Sequence, residues 1–203
     1  MRTDNKIEPA IRTRHATNRA ADRILAAARD LFYKQGIRAI GVDEVVRKAG
    51  VTKPSLYRSF SSKDELAATY LRQYDHDFWE HFEESVKAFP GDPRAQILHF
   101  LEGVARRSQK PRYRGCGMTN AAVEYPEPDH PARRVSEENK KELRRRLRAM
   151  ASAMGARDPD DLGDGLLLLL EGAYISAQLF GPDGPSRSLA RNAELLIEAS
   201  LRG

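Results

Sequence analysis

The chain has 203 residues, 40% of them apolar and 31% charged, enough for one large domain or a small one joined to a larger one. Its longest apolar run is the five leucines at 166–170, far short of the roughly 20 residues of a membrane span. The N-terminus has no apolar stretch of the signal-peptide kind, so a cytoplasmic protein with no membrane partner is expected. A single cysteine, Cys116, excludes an internal disulfide and a cysteine-based zinc cluster. The net charge of +5 is unevenly spread: residues 1–62 hold 13 Lys and Arg against 6 Asp and Glu, the remainder 21 against 23. A basic lobe on a near-neutral body suits a polyanion partner, although a solubility tail would give the same excess.

Residues 1–17 mix charges with a proline and hold no sustained period, which reads as a flexible basic arm. Helical order is expected from residue 18, where Ala20, Ile24, Ala27, Ala28, Leu31 and Phe32 recur at three- and four-residue steps until Gly36 ends the pattern. Val42, Val45, Val46 and Ala49 repeat it over a short second helix closed by Gly50. In the third, Thr52 suits the N-cap, Pro54 falls in the first turn, and Leu56 and Phe60 make a narrow apolar stripe. A long fourth helix opens at Ser62, whose spacing to Glu65 is that of a capping box. Its apolar positions Leu66, Tyr70, Tyr74, Phe78, Phe82 and Val86 run to the break "FPGDP" at 89–93. Further helical patterns cover 94–109, about 118–123, 131–154, 160–180 and 186–201, separated by "KPRYRGCG", "YPEPDHP", "GARDP" and "GPDGP". No stretch alternates as a strand would, so the fold is expected to be all-α.

The stretch "AGVTKPSLYRSF" at 49–60 carries the chemistry. At about 100° per residue, Leu56 and Phe60 mark the buried side of its helix, Pro54 and Arg58 point nearly opposite, and Ser55 lies beside them. A helix held through two apolar residues that turns a small cationic face outward is built as a reader of the DNA major groove would be. A plain helical hairpin with a solvated face is the alternative on this stretch alone. Arg58 follows from this geometry: Arg pairs bidentately with guanine, but on a short helix it can equally bind phosphate.

Residues 24–66, "ILAAARDLFYKQGIRAIGVDEVVRKAGVTKPSLYRSFSSKDEL", closely resemble the DNA-binding domain of the TetR family of transcriptional regulators. The likeness rests on the "AA" and "LF" of the first helix, the Gly36 turn, "AGVT", "LYRSF" and "KDEL". Gly41, where Ser or Thr commonly caps, and Val46, where Ala is usual, depart from the pattern and leave the second helix slightly weaker. The resemblance implies an N-terminal three-helix helix-turn-helix DNA-binding domain over 18–62 and a larger α-helical ligand-binding and dimerisation domain over 63–203. It further implies that Thr52, Lys53, Pro54 and Ser55 lie nearest to base edges or the adjoining backbone, and that Tyr57 and Lys63 contact phosphate. Arg12, Arg14 and Arg19 of the arm could reach along the backbone or into the minor groove.

Family resemblance also implies a homodimer whose last two long helices pair with their copies, and a pocket for a small-molecule effector in the body. "GDGLLLLLEGAYISAQLFG" at 163–181 agrees, with leucines all round and Gly172, Ala173, Ser176 and Ala177 for close approach, although a helix central to a monomer core would look the same. Leu189, Ala193, Leu196, Ile197 and Leu201 supply its partner helix. Pocket candidates are Phe78, Trp79, Phe82, Phe100, Val104, Met118, Tyr125, Met150 and Tyr174, residue types that serve as plain core as readily as ligand contacts. Cys116 is expected to be a small packed residue, His76, Glu80 and His81 a solvated face with no metal, and the charges of 133–150 a solvated helix back. No glycine-rich phosphate loop, nucleophile elbow or HExxH is present, so neither catalysis nor a cofactor is expected. The reading is a transcriptional regulator, a repressor released from a palindromic double-stranded DNA operator by an effector. The alternative is an interaction protein of the same fold that acts through a protein partner without operator-specific binding.

Overall fold

The computed structural model describes the backbone of residues 7–202 and the side chains of residues 19–202, and within them every regular element is helical. Helix α1 spans Ile7–Gln35, α2 Val42–Ala49, α3 Lys53–Ser59 and α4 Lys63–Ala88. Beyond them come α5 Pro93–Ser108, α6 Gly117–Glu124, α7 Pro131–Ala153, α8 Pro159–Phe180 and α9 Leu189–Leu201, the last preceded by two 3-10 turns at Gly181–Asp183 and Pro185–Ser188.

The first helix starts earlier than its periodicity indicates. Residues 7–17, expected as an arm, are continuous with α1. Pro9 falls in the first turn, where its missing amide proton breaks no hydrogen bond, and no further proline or glycine interrupts the chain before Gly36. Residues 1–6 and the side chains of Arg12 and Arg14 lie outside the described set.

Helices α1 to α3 close around Ile24, Ala28, Phe32, Ile40, Val45, Ala49 and Leu56, all buried, with Leu66 and Tyr70 of α4 as the floor. Gly50 makes the tight turn between α2 and α3: its φ of +61° is left-handed, and a Cβ there would stand 2.6 Å from the Arg23 guanidinium, which donates to the Gly50 carbonyl at 2.9 Å. Gly41 takes the N-cap of α2 without a side-chain bond. Thr52 occupies the N-cap of α3, but its hydroxyl pairs with Ser55 Oγ at 3.0 Å and caps no amide. At α4 the Ser62 hydroxyl accepts from Glu65 N–H at 3.0 Å, while the Glu65 carboxylate reaches back to Ser61, one residue before the cap. The box therefore closes one step wider than its sequence spacing implies.

α4 leaves this head and becomes a wall of the body, where α7 and α8 pack most closely. Gly163 permits that approach, since a Cβ there would stand 2.7 Å from Arg148 N. The apolar stretch Pro159–Asp183 is long and apolar enough to cross a membrane by length and composition. Its body side nevertheless carries Glu171, bonded by Lys140 at 2.5 Å and Thr119 at 2.6 Å, which fixes the helix into protein.

Candidate nucleic-acid interface and body cavity

Helix α3 is seated as its two apolar residues dictate. Leu56 and Phe60 are buried against α1 and α2, while Thr52, Lys53, Pro54, Tyr57 and Arg58 are exposed and Ser55 is half-buried. Tyr57 leaves 47% of its surface open, unusual for a large ring with a nearby core to join. Arg58 is held over the helix by a hydrogen bond to Ser55 Oγ at 2.9 Å, and Lys53 is 3.0 Å from Asp43 on α2. The hydrogen bond to the Asp43 carboxylate raises the Lys53 pKa, so the ammonium stays charged. Lys63 is placed differently from the other six. Its ammonium donates to the Arg38 carbonyl at 3.2 Å, and burial there lowers its pKa. Arg19 is exposed on α1.

The head is fastened to the body at two places. Arg38 N–H, in the α1–α2 turn, donates to Glu124 at the end of α6 at 2.7 Å, and its guanidinium lies 5.2 Å above the Tyr125 ring. Tyr125 stacks on His130 at 3.8 Å, and its burial pushes the phenol up to about 12. Further along α1, Tyr33 donates to the Gly115 carbonyl at 3.2 Å and accepts from Arg114 N–H at 3.0 Å, and Arg29 pairs with Asp77 of α4. Besides the continuous α4, α6 and the 110–115 loop therefore link the head to the body.

Beside the second of these fastenings lies a cavity of about 340 Å³, at the small end of ligand pockets. Tyr33 of α1, Tyr74 and Phe78 of α4, Val104 of α5, Tyr113 of the loop and Tyr174 of α8 form its walls, with Arg107, Lys110 and Arg112 among its rim. Three of the nine pocket candidates, Phe78, Val104 and Tyr174, line it. The other six are placed elsewhere. Phe82 and Phe100 are buried ring to ring at 5.1 Å as core, and Met118 is wholly buried beside Ser136. Trp79 is on the outer shoulder of α4, bonded to Asp75 at 3.0 Å with the Arg146 guanidinium 4.3 Å over its ring. Tyr125 belongs to the head junction, and Met150 is half-buried against the core of the body. Periodicity finds apolar faces, and a cavity forms where several such faces fail to meet, so only the fold identifies its lining. One local signal did exist: "KPRYR" concentrates cations around a tyrosine in a loop, and Arg112 there has a φ of 62°.

Cys116 is buried, as expected of a packed residue, and lies 3.5 Å from the Lys140 ammonium. The acidic and histidine groups of α4 cluster as His76, Asp77 and Glu80, not with His81, and Asp77 is already taken by Arg29.

The comparisons bear on both domains. The model of bacterial regulatory proteins of the tetR family matches residues 24–70, the helix-turn-helix and the start of α4. A TetR-family transcriptional regulator from Streptomyces coelicolor superposes with a TM-score of 0.87 at 28% identity, covering 91% of this chain and 97% of that one. A TetR transcriptional regulator from Streptomyces avermitilis does so at 0.77 and 33% identity, covering 89% and 97%. The transcriptional activator FasR of Mycolicibacterium smegmatis is 45% identical over 51 residues, 25% of this chain and 23% of FasR, so that likeness spans about a quarter of either protein. With residues 24–70 matched by the family model and 89% of the chain superposed on a regulator 33% identical to it, this chain belongs to the TetR family of transcriptional regulators.

Proposed function

We propose that the protein is a homodimeric repressor that binds a palindromic operator through α3 and is released by a small molecule held in the body cavity. The observation that carries it is the outer face of α3, where Thr52, Lys53, Pro54, Ser55, Tyr57 and Arg58 stand on a helix anchored from behind. In this reading the first four meet base edges or adjoining backbone, Tyr57 and Lys63 meet phosphate, and Arg58 reads or clamps. Lys63 must leave the Arg38 carbonyl to do so.

Support for the dimer comes from α8. Leu168, Gly172, Ile175 and Leu179 fall on one line of the helix, with Leu168 72% and Leu179 70% exposed, and Leu195 of α9 is exposed as well. A row of open leucines is costly in water and suits a second copy. Ala173 and Ala177 face the protomer's own core, so of the four small residues Gly172 is the one on the open line. Two copies would present α3 to grooves one turn apart, roughly 34 to 36 Å. An effector touching α1 and α4 from the cavity bears directly on that spacing, and in this reading the dimer represses by occupying promoter DNA. The domains proposed are a head to residue 62 and a ligand-binding and dimerisation body from 63, with no catalytic role.

A footprint on the DNA flanking the protein's own gene, joined to transcription from that promoter, tests the reading. A protected two-fold symmetric site and reduced transcription are expected. Protection of one asymmetric half-site by a monomer, or no protection, would contradict it.

A further inference from the structure

The cavity's walls and rim differ in chemistry. Its deep side is aromatic: Tyr74, Phe78 and Tyr174, with Tyr33 roughly parallel to Tyr74 at 6.4 Å. Its rim is cationic. Arg29, Arg107, Lys110 and Arg112 all line it, against Asp77 as the one carboxylate in the lining. Among the described residues Arg107, Lys110 and Arg112 enter no salt bridge, whereas the arginines of α7 at 133, 144, 145, 146 and 148 each have a carboxylate partner. The Tyr174 side chain is 5% exposed, and its hydroxyl has no hydrogen-bond partner among the described residues although it lines the cavity. The hydroxyl is therefore free to donate to an oxygen of a molecule held in the cavity. Burial holds this phenol neutral, and likewise that of Tyr113, so both remain donors at neutral pH.

We propose that the effector is a small aromatic carboxylate, its ring lying among Tyr74, Phe78 and Tyr174 and its acid group facing Arg107, Lys110 and Arg29. This rests on the effector role proposed for the cavity and adds the chemical class. The acid has one competitor inside the protein, since Asp77 already holds the Arg29 guanidinium. A ligand acid that takes Arg29 removes one of the contacts between α1 of the head and α4 of the body, so recognition of the charge reaches the junction of the two. An uncharged ring of equal size would fill the aromatic side and leave the fastening closed.

Calorimetric titration of the full chain at fixed salt with 2-naphthoate, 2-naphthamide and 2-naphthylmethylamine tests this. The carboxylate is expected to bind at least roughly tenfold more tightly than the amide, the usual size of a charge-assisted pairing, and the amine weakest. R107Q with K110Q should reduce that preference several-fold while leaving amide binding within about twofold, and D77N should tighten the carboxylate a few-fold by freeing Arg29. Both sets of positions are exposed or half-exposed, so folding is retained and a melting curve checks it. Equal or tighter binding of amide or amine, no binding by any of the three, or a preference left undiminished by R107Q/K110Q would overturn the proposal. A repeat with operator present separates it from the reading it rests on. If the amide binds and releases operator, the cavity is an effector site for another class; if the carboxylate binds but operator affinity is unchanged, the anion site stands and the effector role falls.

Discussion

Helices α3 and α7 are both rich in cations, and the fold treats them in opposite ways. Along α7, Arg144 and Arg148 share Asp164 of α8, while Arg145 and Arg146 share Glu142, and Arg146 also reaches Glu83 of α4. Those contacts press Asp164 below the usual carboxylate range and Glu142 down to about 2. On α3, by contrast, Lys53 has the exposed Asp43, and Arg58 has only the Ser55 hydroxyl. Composition alone would rank α7 as the better nucleic-acid surface. What separates the two is how firmly the protein supplies the opposite charge: on α7 the cations at 144–148 share carboxylates that join helices, whereas on α3 Lys53 has one exposed carboxylate and Arg58 has none, which leaves both open to an outside anion.

The comparison can be broken in several ways, and the largest effect is expected at the seam of the proposed dimer, which would hold two copies of α3 together. L168E with L179E places four carboxylates in the apolar seam of a dimer. Sedimentation should show a monomer, and operator affinity should fall about a hundredfold or more as the second half-site ceases to be an intramolecular contact. Next comes α3 itself. K53A with R58A should cost about tenfold to a hundredfold on the operator and narrow the gap between operator and scrambled DNA, read by competition in a mobility-shift titration. Lys63→Ala should lower the salt slope by about 1 or less and leave sequence preference unchanged, because a phosphate contact carries no base information. The smallest effect is expected on α7, where Arg145→Ala should leave affinity, salt slope and melting temperature unchanged, since its exposed pair with Glu142 contributes little.

Much of the head was legible in the sequence because its determinants are local. Gly50 closes the α2–α3 turn, Leu56 and Phe60 give α3 its inner side, and Ser62 starts α4, each within a few residues of what it controls. The same locality misplaced the start of α1, where tolerance of Pro9 in a first turn outweighed the lack of an apolar period. The cavity was legible in part. Phe78, Val104 and Tyr174 were found as aromatic or apolar positions on helices, but Tyr33, Tyr113 and the rim cations meet them only through contacts such as Tyr33 to Gly115, 82 residues apart. Phe82 shows the converse. It has the spacing of a pocket residue, yet it is buried between Trp79 and Phe100, so Phe82→Ala should destabilise the body by about 3 to 5 kcal/mol before it tunes any response.

The central claim is that α3 is the cationic surface the fold leaves for DNA. The most direct test measures affinity for the footprinted DNA across a salt series for three proteins: the unaltered chain, K53A/R58A, and R144A/R145A. The account requires the α3 variant to bind more weakly with a shallower or equal slope and reduced preference for its site, and the α7 variant to superimpose on the unaltered chain. A loss of affinity and slope in the α7 variant, with the α3 variant unchanged, would contradict it.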